Sequence, residues 1–292
     1  MNIEPKIPSN TAHNSRGNTS SRRFLVNTAL VFSFFVALYF ALGWLSLILV
    51  HLMPVHWEQH LTFSTPDHWE DAAPPEVQRI FDEMIAGDDS GRVYKLRIVP
   101  SDTPNAFALP DGTIGLTRGL LAQSETEQEL AFVIGHEIGH LQARHNLKRM
   151  SRQVVYGLAR TLLIGENDAL APFVHAEGMA HLHFSREQES EADRNGLHLV
   201  QLRYGHVGGA DQFLIKAGGT LYPEWVTTHP HPEERTQALR DYAADQGWEN
   251  GSTTPLAYQK KESDTYRHEA SGSEASNIEP ETFESAKQPT PY

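Results

Sequence analysis

The chain contains no cysteine. That absence rules out disulfides, a thiolate zinc site and a thiol nucleophile, and it is tolerable in an oxidising compartment. Positive charge is also scarce: 24 Lys and Arg stand against 37 Asp and Glu, for a net charge of −13 and a pI near 5.6. Nucleic acid or an acidic membrane surface is therefore excluded as the main ligand. No internal repeat is present. No charged residue falls between Phe24 and Val50, and apolar residues become scarce after Gly251.

The gap in charge carries the first positive reading. A hydrocarbon core of ~30 Å takes about 20 helical residues, so residues 24–50 are long enough to span it with some tilt. Trp44 and Trp57 stand near the far end, where interfacial aromatics belong. Ala41-Leu42-Gly43 offers a small-x-small cleavage site, but the apolar run continues through Val50, which favours a retained anchor over a signal peptide. Arg16, Arg22 and Arg23 precede the run, and Glu58, Asp67, Glu70 and Asp71 follow it. This places the N-terminus in the cytoplasm and the bulk of the chain outside it, facing the periplasm if the source is bacterial.

The remainder divides by composition. The 292 residues, 39% hydrophobic, allow one sizeable domain with extras or two small ones. Residues 1–23 read as a disordered cytoplasmic segment and 51–75 as a Pro-containing connector. A folded domain is expected over 76–250, and a disordered tail over 251–292. Within the domain, Pro75 to Ala86 has the stripe of an amphipathic helix, and 93–99 alternates as a strand does. The segments 105–109 and 113–117 flank Pro110-Asp111-Gly112 as a β-hairpin. Ser124 and Glu127 fit a capping box opening a helix with a basic end at Arg144, His145, Lys148 and Arg149. Residues 152–180 fit a helical hairpin or a lid, and Arg160, Glu166 and Asp168 argue against a second span. Helices are expected at 185–201, near 209–217, and at 233–244.

On the helix after the hairpin lies His136-Glu137-Ile138-Gly139-His140. Residues four apart share a helix face, so both imidazoles can point at one metal ion. Two neutral imidazoles plus a water favour zinc. Glu137 flanks that ion and suits the role of a base that takes a proton from activated water. A pair of satisfied histidines beside a surface glutamate is the bland alternative. A catalytic zinc needs a third ligand, and without cysteine it must be His, Asp or Glu. The acidic helix offers Glu187, Glu189 and Glu191. Glu189 fits best, because Asp193 lies four residues on and can accept the other ring N–H of a ligating histidine. Gly135 and Gly139 would weaken an isolated helix by about 1 kcal/mol each relative to Ala, which points to close approach of another backbone or of substrate.

Four segments then carry a resemblance. They are Asn105-Ala106-Phe107-Ala108-Leu109-Pro110, His136-Glu-x-x-His140 with His145 beyond, Ser185-Arg186-x-x-Glu189-x-x-Ala192-Asp193, and Thr228-His229-Pro230 with Glu234-Arg235. In this order they resemble the gluzincin metallopeptidases of the HtpX heat-shock protease and CAAX prenyl endopeptidase family, in its single-anchor form with a soluble catalytic domain. The resemblance implies an α+β zincin-like domain, mostly helical with a small β-sheet, preceded by one transmembrane helix. It implies one zinc ion per chain on His136, His140 and Glu189, with Glu137 as general base and Asp193 behind a ligand. It implies that Asn105, Ala106, Phe107 and Ala108 pair with an extended or misfolded polypeptide substrate. It brings His229 near the site, to polarise the scissile carbonyl or gate the metal; His231 beside it and a purely structural X-Pro turn are the competing readings. The function implied is a membrane-anchored zinc endopeptidase in envelope protein quality control. The alternative is a non-catalytic tethered chaperone that keeps the fold.

Overall fold

The computed structural model describes residues 21–61, 63, 66, 69, 72–165, 183–219 and 222–257. Residues 1–20, 166–180 and 258–292, on which the readings of a disordered N-terminus, part of the lid and most of the tail fall, lie outside the described residues.

Helix α1, Ser21–Leu52, begins inside the segment expected to be disordered and runs through the whole uncharged stretch. Among the described residues it is the one helix long and apolar enough to cross a membrane. Most of its apolar side chains face outward, Phe32 at 69% and Phe40 at 68% exposure. A 3₁₀ turn, Val55–His60, follows, and then α2, Pro75–Ile85, starts at a proline that costs nothing in the first turn. Val77, Ile80, Phe81 and Met84 of α2 form the expected buried stripe.

Strands β1 (Lys95–Val99), β2 (Ala106–Ala108) and β3 (Thr113–Thr117) make a three-stranded sheet of order β1-β3-β2. The hairpin forms as expected: β2 pairs antiparallel with β3 through Phe107 opposite Gly115, while β1 runs parallel to β3. Gly112 sits at φ 89°, and a Cβ there would lie 2.0 Å from Val93 O, so the turn needs glycine.

The domain core lies between this sheet, α2 and a crossed pair of helices. After the short α3 (Arg118–Gln123), α4 spans Glu127–Gln142 and packs against α6, Arg186–Tyr204. Nearly every residue of α4 is buried, because sheet, α2 and α6 surround it. The cap of α4 differs from expectation. Thr126, rather than Ser124, accepts from the Glu129 N–H at 3.2 Å. Ser124 instead bonds back to Leu120 O and closes α3. The far end differs too. Arg144 takes a left-handed conformation, φ 56°, which ends α4 and starts α5, His145–Ile164, in a new direction. His145, Lys148 and Arg149 thus belong to α5, and residues 152–164 continue it along α1.

Helix α6 opens with a reciprocal capping box between Ser185 and Gln188. Then come α7 (Gln212–Ala217), α8 (Pro223–Thr228) and α9 (Pro232–Asp245), with Trp225, Tyr222 and Phe213 buried at their junction. Residues 251–257 do not join a disordered tail as expected. Thr254 O accepts from the Glu127 N–H at 2.8 Å and Leu256 is buried, so this stretch covers the start of α4.

Candidate metal centre

Backbone contact sets the geometry of the site. Gly135 and Gly139 of α4 meet Ala192 and Gly196 of α6. A Cβ on Gly196 would lie 2.9 Å from the His136 backbone nitrogen, and one on Gly139 would lie 3.0 Å from Ala192 Cα. The glycines allow two helix backbones to touch, and that contact brings the α6 carboxylates level with the α4 imidazoles.

His136, His140, Glu189 and His229 each offer a donor atom, all within 4.8 Å of one another. All four residues are buried, none more than 1% exposed. His140 Nε2 faces His136 Nε2 at 3.0 Å, and His229 Nδ1 lies 3.2 Å from His136 Nε2 and 3.0 Å from Glu189 Oε1. The Glu189 oxygens lie 3.6 Å from His136 Nε2 and 3.5 Å from His140 Nε2. A tetrahedral ion with bonds of about 2.0–2.1 Å separates its ligands by about 3.3 Å. The donor set fits a single zinc in spacing and in atom type.

Its electrostatics fit as well. Burial holds His140 well below the usual imidazole range, and burial brings His229 down to about 4 against the pull of Glu189, so their lone pairs are free. Burial opposes ionisation of Glu189, but His229 and the Arg235 guanidinium outweigh it and hold the carboxyl well below the usual range. Asp193 is likewise kept ionised, burial being outweighed by Arg235. Arg235 Nη1 lies 2.5 Å from Glu189 Oε2, and its Nε and Nη2 donate to Asp193 at 2.8 and 2.6 Å. One buried guanidinium facing two carboxylates leaves a single negative charge for a divalent ion to balance.

Surrounding groups fix the ligands. Asp193 Oδ1 lies 2.9 Å from His136 Nδ1. His140 Nδ1 faces His145 Nδ1 at 3.0 Å, and His145 Nε2 reaches Glu191 at 3.2 Å. Trp225 stacks on His229 at 4.8 Å, and Phe184 stacks on His140 at 3.8 Å. Glu137 is wholly buried beside the donors, and neither of its carboxylate oxygens has a hydrogen-bond partner. Burial first, then the proximity of Glu189, raises its pKa to about 7.

The structure therefore brings together His136, His140, Glu189, Asp193, Glu137 and His229. His231 stands apart, 42% exposed in its side chain and at φ 61° before α9. Asn105 to Ala108 form the sheet edge beside α4, and all four are buried. Phe107 lies under Trp69, and the Asn146 amide donates to Ala108 O. Sequence reasoning gave no role to Arg235, His145, Phe184 or Gly196. Arg235 and His145 stood in the quoted motifs, which was the available signal; nothing local marked Phe184 or Gly196.

Comparison with known proteins agrees with this geometry. Residues 71–243 match Peptidase family M48. The chain is 30% identical over 159 residues to the mitochondrial metalloendopeptidase OMA1 of Arabidopsis thaliana, covering 51% of this chain and 31% of that one. It is 28% identical over 185 residues to the beta-barrel assembly-enhancing protease of Yersinia pestis, covering 57% and 38%. It is 27% identical over 172 residues to the metalloprotease YcaL of Escherichia coli, covering 56% and 67%. The chain thus spans about a third of the length of the first two relatives.

Proposed function

The chain belongs to peptidase family M48, and from that premise we propose that it is a membrane-anchored, zinc-dependent endopeptidase acting on extended or misfolded polypeptides in envelope quality control. The observation that carries the reading is the convergence of His136, His140 and Glu189, from two separate helices, beside a buried carboxylate without a partner. The resemblance to HtpX and the CAAX endopeptidase rests on the motifs; the part retained is the single-anchor form with a soluble domain. Helix α1 serves as the anchor, with the N-terminus cytoplasmic and the catalytic domain outside.

When bound to these donors, zinc supplies a Lewis acid that polarises the scissile carbonyl and makes water nucleophilic near neutral pH. Glu137 takes the proton of the attacking water and passes it to the leaving nitrogen. Asp193 holds the His136 ring, and Arg235 holds Asp193 and Glu189 in register. The β2 edge receives substrate main chain once Asn146 and Trp69 yield it. His229 acts as the gate: its Nδ1 stands among the donors and its Nε2 lies 3.7 Å from Glu137.

The deciding variant is Glu137→Gln, assayed as the full chain in detergent. Zinc content should stay at one per chain while casein hydrolysis disappears, and a chelator should abolish wild-type activity. If Glu137→Gln digests casein as fast as wild type, the mechanism fails; if zinc-loaded wild type leaves casein intact, the tethered-chaperone reading takes its place.

A further inference from the structure

We propose that α5 enters the outer leaflet of the bilayer alongside α1, so that the chain meets lipid through two helices of which only one spans. This rests on the reading of α1 as the anchor. Three contacts set the relation of the two helices. Arg144 Nη1 donates to Val50 O at 2.8 Å. Ser151 Oγ lies 3.5 Å from Ser46 Oγ. The Tyr156 and Tyr39 rings stack at 4.8 Å, 11° from parallel. From the first contact to the last the numbers rise by 12 on the α5 side and fall by 11 along α1, so α5 follows the anchor back along its axis.

A cavity of about 360 Å³ lies beside the stacked tyrosines, lined among others by Phe35, Leu38 and Leu42 of α1 and Val155, Leu158 and Ala159 of α5. Leu158 remains 47% exposed on the same side as exposed anchor residues. Lipid is the occupant these observations favour, because the face is continuous with the apolar surface of the anchor. Depth follows from the helix rise. If the outer boundary lies at Trp44, the tryptophan of α1, Tyr39 is about 8 Å inside and Leu158 about 10 Å inside. A boundary nearer Val50 places both deeper. Arg160 limits the insertion. A charge is costly at the bilayer centre and tolerable near the headgroups, where a long arginine stem can reach water. Helix α5 therefore dips without crossing.

A chain without cysteine makes the test direct, since one introduced thiol labels one site. Leu158→Cys, Phe32→Cys and Asp89→Cys, all at exposed positions, are each labelled with an NBD fluorophore in the full-length protein. They are reconstituted in phosphatidylcholine vesicles with and without doxyl-labelled acyl chains. The expected result is quenching at Leu158→Cys several-fold greater than at Asp89→Cys and comparable with Phe32→Cys. Strong quenching at Phe32→Cys with Leu158→Cys no different from Asp89→Cys overturns the insertion of α5 while leaving the anchor intact, whether water or a second copy covers that face. Absence of quenching at Phe32→Cys overturns the anchor itself and this proposal with it.

Discussion

Glu137 is wholly buried with both oxygens unpaired, and its pKa stands at about 7 against an ordinary 4.5. In the metal-free protein that arrangement costs stability whenever the group is ionised. The folded state holds the proton more tightly than the unfolded state, so stability is greatest below pH 4.5 and is lost as pH rises through about 7. Each tenfold change in acidity is worth about 1.4 kcal/mol, so the loss reaches roughly 3 kcal/mol above pH 7. Glu137→Gln keeps the shape and removes the charge. Above pH 7 the metal-free variant should be more stable than metal-free wild type by that amount, equivalent to a rise in Tm of roughly 6–12 °C. Near pH 5 the two should converge. The histidines are common to both proteins, so their titration enters the difference only through their coupling to Glu137. Urea denaturation of both proteins in detergent with excess chelator, at pH 5 and pH 8, measures it. A stability gap equal at the two pH values, or wild type the more stable at pH 8, would refute the reasoning.

Two further substitutions probe the framework. Gly196→Ala inserts a Cβ 2.9 Å from the His136 backbone nitrogen, so α6 must move away from α4. The expected cost is about 1–3 kcal/mol with loss of zinc, read by denaturation and metal analysis; unchanged zinc binding would show that helix contact does not place Glu189. Asp193→Ala strips a buried guanidinium of its main partner and should destabilise the fold by about 3–5 kcal/mol. Asp193→Asn keeps an acceptor for His136 and should lower metal affinity about 10–100-fold at smaller cost in stability. Equal losses for the two variants in denaturation and zinc titration would argue against the orienting role.

Local geometry explains what the sequence disclosed. His136 with His140, and Glu189 with Asp193, sit four residues apart on their helices, and that offset is decided within one turn. Gly135 and Gly139 announced a close approach, though not that Gly196 answers them from the opposite helix. What stayed hidden depends on distant chain. Ser124 with Glu127 and Thr126 with Glu129 both satisfy the capping pattern. The choice falls to Thr126 because Thr254 O takes the Glu127 N–H and Ser124 turns back to Leu120. The break at Arg144 is equally remote in origin: its side chain reaches Glu58 and Val50 O, contacts that accompany a left-handed backbone a local reading would have kept helical. Phe184 lies over His140 only because α6 and α8 converge there, its N–H donating to Thr228 O.

The placement of Arg235 has a consequence for how the enzyme comes into being. A single guanidinium on α9 pins the carboxylate from the acidic helix and the one behind His136, so nothing upstream of it is a finished centre. During synthesis the His-Glu-x-x-His helix leaves the ribosome nearly a hundred residues before the side chain that secures its partners. A nascent or truncated chain ending short of α9 therefore lacks the cation that holds Glu189 and Asp193 in register, and on the proposed reading any proteolytic power would arrive only with the completed fold.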